Sequence, residues 1–85
     1  MDSIEHYRKK IDDVDRNIVK LLTLRLDLAK RIGSYKKTNK IGIIDKKREL
    51  RIIRNIKRNL NKSNKNFIIA IFKNIIHYSK RAQSK

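Results

Sequence analysis

From Ile4 to about Lys37 the apolar residues return every three or four positions, through Ile4, Tyr7, Ile11, Val14, Ile18, Leu21, Leu22, Leu28, Ala29 and Ile32, with no glycine before Gly33. That period is helical and predicts one long helix with an apolar stripe. Ser3 is placed to cap its start, and Asp2 and Glu5 sit where the helix dipole favours negative charge. At ~1.5 Å per residue such a helix reaches roughly 50 Å, whereas a compact chain of this length has a radius of gyration of about 12 Å. The outer turns overshoot any globule the chain can build alone. The pattern therefore predicts a two-fold, interleaved homodimer.

Residues 38–44 break the period and contain Gly42, so they read as a connector. Asp45 then caps or opens a second helix that runs to about Asn59, with Leu50, Ile53, Ile56 and Leu60 as its inner ridge. The polar run 61–66 reads as a turn, and a third helix from about Asn64 to Ala82 carries Phe67, Ile68, Ile71, Phe72, Ile75 and Ile76. Taken alone, Phe67 to Phe72 would also suit a buried strand, but the chain offers no second strand to pair with it. The expected fold class is all-α, with three helices per chain in one domain over residues 1–85.

Composition sharpens this picture by exclusion. The chain has no cysteine and no proline, so a disulfide framework, a zinc-thiolate site and a cysteine nucleophile are all excluded. Leu, Ile, Val and Phe make up 26 of the 85 residues, enough to support a core. No run of about 18 apolar residues occurs, and the acidic start lacks the apolar stretch of a signal peptide, so a cytoplasmic protein is expected. The net charge of +16 is unevenly placed: residues 1–28 hold six acids and six bases, and residues 29–85 hold two acids and 18 bases. Lys, Ile and Asn, whose codons are rich in A and T, account for 38 residues, so base composition explains part of that charge.

The chemistry lies where charged residues occupy positions that the helical period reserves for apolar ones. Stepping along the first helix from Arg8 gives Ile11, Asp15, Ile18, Leu22, Arg25, Ala29, Ile32 and Lys36 on one face. Three bases on a core stripe need partners, because an unpaired buried charge costs several kcal/mol. Ion pairs with Asp15, Asp45 or Glu49 are the plain alternative to a functional role. In the second helix Asp45, Arg48, Glu49, Ile52 and Ile56 share a face, with an Asp45–Arg48 pair or a capping role for Asp45 as the plain reading. In the third, Ser79 and Gln83 extend the apolar ridge. His6 and His77 lie off these ridges without metal-ligand spacing and are expected at the surface. The inward groups describe a cationic pocket with two neutral hydrogen-bonding groups and a glutamate. Such a pocket suits a small polyanion and a reaction driven by positioning and electrostatics, without a nucleophile or metal.

The ordered set Arg8-x2-Ile11-x3-Asp15, Arg25, Gly33-x2-Lys36, Asp45-x2-Arg48-Glu49 and Ser79-x3-Gln83 resembles the all-helical, AroQ-class chorismate mutases over nearly the whole chain. That resemblance implies the chorismate mutase type II fold: an intertwined homodimer in which the long first helices pair. It also implies a cofactor-free Claisen rearrangement of chorismate to prephenate, on the route to phenylalanine and tyrosine. By similarity, Arg25 and an Arg8 donated by the other subunit would clamp the substrate's carboxylates. Lys36 and Gln83 would hydrogen-bond the ether oxygen, Glu49 aided by Asp45 would hold the ring hydroxyl, Ser79 would reach a carboxylate, and Arg48 would support the site. Many relatives have proline after the aspartate that matches Asp45, where this chain has Lys46. No dehydratase, dehydrogenase or synthase domain is evident, so a monofunctional enzyme is expected.

Three rival readings are weaker. An isochorismate-pyruvate lyase would share the fold and the cationic pocket, but Glu49, suited to a ring hydroxyl, favours the mutase. A basic helical nucleic-acid-binding dimer would explain the charge, yet Tyr7, Tyr35 and Tyr78 do not interleave with a basic stripe as a stacking platform requires. An inactive regulatory partner would have little chemical reason to keep Arg25, Lys36, Glu49 and Gln83 together.

Overall fold

The computed structural model describes residues 3–84 and contains three helices, α1 (Ser3–Thr38), α2 (Lys46–Arg58) and α3 (Lys62–Gln83). The all-α expectation holds, with no strand among the described residues. Ser3 is the first helical residue of α1 instead of its cap, and Asp2 lies outside the described residues. Along its exposed face α1 is laced by local ion pairs, Glu5 with Arg8 at 2.9 Å, Asp13 with Arg16, and Asp27 with Arg31 at 3.9 Å. Pairs at these spacings support a helix by a few tenths of a kcal/mol each, roughly.

The end of α1 departs from the expected turn. The Ile41 amide donates back to the Lys36 carbonyl at 2.8 Å and the Lys40 amide to that of Lys37 at 3.4 Å, the pattern of a Schellman cap. The left-handed residue this cap needs is Lys40, at φ 55, and Gly42 takes no positive φ. The Asp45 side chain caps α2 by accepting from the Arg48 amide at 3.0 Å, with Lys46 in the first helical position. Asn61 caps α3 in the same way, accepting from the Asn64 amide at 3.2 Å, so α3 begins two residues earlier than its apolar period suggested.

Helix α3 is the middle element: it packs on α1 and on α2, which do not pack on each other. The buried residues are small or few, namely Ala29, Gly33, Ile76 and Ala82, and no large side chain is fully enclosed. The α1–α3 crossing is tightest at Gly33. A Cβ there would lie 2.6 Å from Gln83 Cα and nearer still to the Gln83 carbonyl oxygen, so the absence of a side chain lets the helices meet. On α2 the inward ridge is Glu49, Ile52, Ile53, Ile56 and Leu60, whereas Leu50, expected inside, is 63% exposed. One position of rotation about a helix is 100°, which is enough to exchange Leu50 for Glu49 on the inner face.

The molecule extends 59 × 26 × 15 Å with a radius of gyration of 16.4 Å, against about 12 Å for a compact chain of this size. The excess length is the first part of α1, where every residue from Ser3 to Leu24 is exposed.

Candidate active site

The wedge between α1 and α2, with α3 along its side, encloses a cavity of about 360 Å³. Around it stand Arg25 and Lys36 from α1, Asp45 at the cap of α2, Arg48 and Glu49 from its first turn, and Ser79, Lys80 and Gln83 from α3. Seven of the eight residues singled out by the sequence therefore meet at one place. The eighth, Arg8, does not: its side chain is 67% exposed and donates to Glu5, three residues upstream, instead of pairing with Asp15. Arg8 lies 17 residues before Arg25, about 25 Å along the helix axis.

Each inward group is held by a partner that fixes its direction. The Lys36 ammonium donates to the Ile43 carbonyl at 3.0 Å and to Gln83 Oε1 at 2.8 Å. Because an ammonium can only donate, it must face the amide oxygen of Gln83, which leaves the Gln83 NH2 to donate elsewhere. The third Lys36 proton remains as well, so two donors from different helices serve one corner of the cavity. Gly33 brings the Gln83 backbone this close to α1, which ties the motif glycine to the donor pair.

Arg25 donates to Ser79 Oγ, and Ser79 in turn donates to the Ile75 carbonyl at 2.8 Å. The single hydroxyl proton of Ser79 is thereby engaged, so in this geometry it orients Arg25. Burial, and then the like charge of Arg48, push the Arg25 guanidinium below the usual arginine range. An anion in the cavity relieves both effects. Neither Arg25 nor Lys36 has a carboxylate partner, so the ion-pair alternative does not apply to them. Counting Lys80, four cationic side chains face two carboxylates around the cavity, a surplus that complements a dianion.

Glu49 pairs through Oε1 with Lys80 Nζ at 2.8 Å, and its Oε2 is buried without a hydrogen-bond partner. An unpartnered buried carboxylate oxygen is costly, and a hydroxyl donor would satisfy it. Lys80 is the residue that sequence reasoning missed. The signal was available, since Lys80 follows Ile76 by four positions and precedes Gln83 by three. A second hollow of about 310 Å³ shares Arg25 and Ser79 but is otherwise lined by Leu22, Leu26, Ile71, Asn74, Ile75 and Tyr78, with little polar chemistry to offer. His6 and His77 are exposed, each edge-on to the following tyrosine.

Residues 7–84 match the chorismate mutase type II family. The chain belongs to that family. It is 33% identical over 87 residues to a chorismate mutase of Methanocaldococcus jannaschii, an alignment that covers all of this chain and 88% of the relative. Among solved structures it superposes on a conserved hypothetical protein from Pyrococcus furiosus with a TM-score of 0.81 and 32% identity, over 98% of this chain and 97% of the other. Membership of the chorismate mutase type II family makes the chain an isomerase acting on chorismate. The cationic cavity is the feature of the fold that such a substrate, with its two carboxylates, requires.

Proposed function

We propose that the chain rearranges chorismate to prephenate in the α1–α2 wedge, and that each site is completed by Arg8 from a second copy. The observation that carries this reading is the meeting of Arg25, Lys36, Glu49 and Gln83 around one cavity with two donors at one corner and an unpartnered acceptor on Glu49. The rearrangement breaks a C–O bond as a C–C bond forms within one molecule, so it needs no nucleophile. It needs the substrate folded into a reactive conformer and donors where negative charge grows. Arg25 grips a carboxylate, and the free protons of Lys36 and Gln83 meet the ether oxygen as the C–O bond lengthens. Glu49 Oε2 accepts from the ring hydroxyl. Asp45 braces the turn that carries Glu49, Arg48 adds positive potential, and Ser79 aims Arg25. A millionfold acceleration requires roughly 8 kcal/mol, the scale of a few charge-assisted hydrogen bonds at about 1.5–3 kcal/mol each.

The second copy follows from exposure. Ile11, Val14 and Ile18 form an apolar stripe along residues 3–24, each about half exposed, and the apolar hollow at Leu22, Leu26, Ile71 and Tyr78 adjoins it through Leu22. So much exposed apolar surface marks an interface. A two-fold pairing of the α1 helices covers it and brings the first turns of one chain toward the cavity of the other. Arg8 cannot reach its own cavity along a rigid helix, so a second copy is its route to the substrate. The same reading takes the chain as cytoplasmic and monofunctional.

The experiment is turnover of purified chain on chorismate, with prephenate identified as product, beside Arg25→Ala and Gln83→Ala. Prephenate that forms with the wild type and collapses in both variants supports the assignment. Turnover of isochorismate with none of chorismate favours the lyase and contradicts it.

A further inference from the structure

Three of the four ion pairs among the described residues join neighbours within α1, and all three are exposed. The fourth joins two helices: Lys80 of α3 meets Glu49 of α2 at 2.8 Å, with side chains 31% and 21% exposed. Glu49 has two oxygens of unlike standing, since Oε1 takes the ammonium and Oε2 is buried without a partner. Rotation of the carboxylate about its last bond would exchange them, and the Lys80 contact is what distinguishes one from the other. Helix α2 makes no direct packing with α1, so the wall that carries Glu49 is held through α3. We propose that Lys80 is a positioning residue of the site, which grips Glu49 Oε1 and presents Oε2 to the substrate's hydroxyl.

This rests on the reading of the cavity as the chorismate site. Glu49 is the group that touches substrate, and Lys80 acts through it. The long side chain suits the task, because its methylene stem lies over the apolar floor of a shallow groove between α2 and α3 that Ile53 and Ile76 also line. Its charge also balances the buried carboxylate, which otherwise faces only the cations of the cavity that the substrate dianion neutralises.

Wild-type turnover of chorismate is measured first, followed by Lys80→Met, which keeps the stem and removes the charge. Lys80→Met loses roughly tenfold in kcat/KM, as for loss of one charge-assisted contact. Lys80→Arg, which keeps a donor for Oε1, stays within about threefold of wild type. Placed in the Glu49→Gln background, Lys80→Met adds no further loss, because the partner it positions is gone. A merely structural lysine would lower both backgrounds equally, and that result overturns the proposal. So does full activity in Lys80→Met with an active wild type, which leaves the mutase reading intact. An inert, folded wild type overturns both.

Discussion

The two parts of α1 carry the same apolar period yet live in different surroundings. Residues 25–38 supply Ala29 and Gly33 to the core and Arg25 and Lys36 to the cavity, with α3 against them. Residues 3–24 keep the period through Ile11, Val14 and Ile18 and bury nothing. Helical periodicity thus tells which face is to be covered but is silent on what covers it. In the later part the cover is α3 of the same chain. In the earlier part our reading assigns it to a second copy, and the placement of Arg8 follows from that assignment.

The sharpest way to break the comparison is to remove the chemistry of the later part. Arg25→Ala and Gln83→Ala each lower kcat/KM by about a hundredfold to a thousandfold, the effect of losing one donor aimed at developing or bound charge. A loss under tenfold in both, read from steady-state turnover, would separate the cavity from the reaction. In the earlier part Ile18→Asp places a carboxylate on a surface that is harmless in a lone chain and severe in a buried interface. It shifts sedimentation from dimer to monomer and lowers specific activity by about tenfold or more at low protein concentration. Unchanged sedimentation and activity would mean that no second copy covers this face.

The glycines offer a finer contrast. Gly33→Ala forces a methyl group against the Gln83 backbone, so it lowers stability by about 1–3 kcal/mol in denaturant unfolding and activity with it, through the displaced Gln83. Gly42→Ala meets nothing within 4 Å and changes stability by less than about 0.5 kcal/mol. Equal effects would show that the α1–α3 crossing does not depend on close approach. The smallest effect concerns Arg25. Its folded-state value lies below the ordinary one, so at any pH below both values the charged form works against folding. Removing the charge while keeping bulk, in Arg25→Met, leaves the thermal midpoint unlowered even though activity collapses. A fall of more than about 3 °C would place Arg25 among the supports of the fold.

Much of this was legible in the residues. Asp45 reads as a cap and is one, and the three helices follow from period and polarity. Arg25, Lys36, Glu49 and Gln83 stood out as polar groups on apolar ridges, and they meet around one cavity. The errors have physical causes. Asn61, Asn64 and Asn66 are all competent caps, so the period could not choose where α3 starts, and the Asn61 side chain decides it. Leu50 and Glu49 differ by a single 100° step, and the tertiary contact with Lys80 sets which one turns inward. Lys80 passed unnoticed because a lysine among many in a chain of net charge +16 carries no local mark. What no single chain can display is a partner's contribution, and Arg8 is the residue on which that matters.

The measurement that tests the shared site most directly is subunit mixing. Arg8→Ala and Gln83→Ala proteins, each inactive alone, are exchanged in equal amounts, and the exchange is verified by mass. Half of the dimers are then mixed, and each mixed dimer holds one intact site of its two. Activity should return to about a quarter of the wild-type value. Verified exchange with no recovery would contradict a site built from two chains.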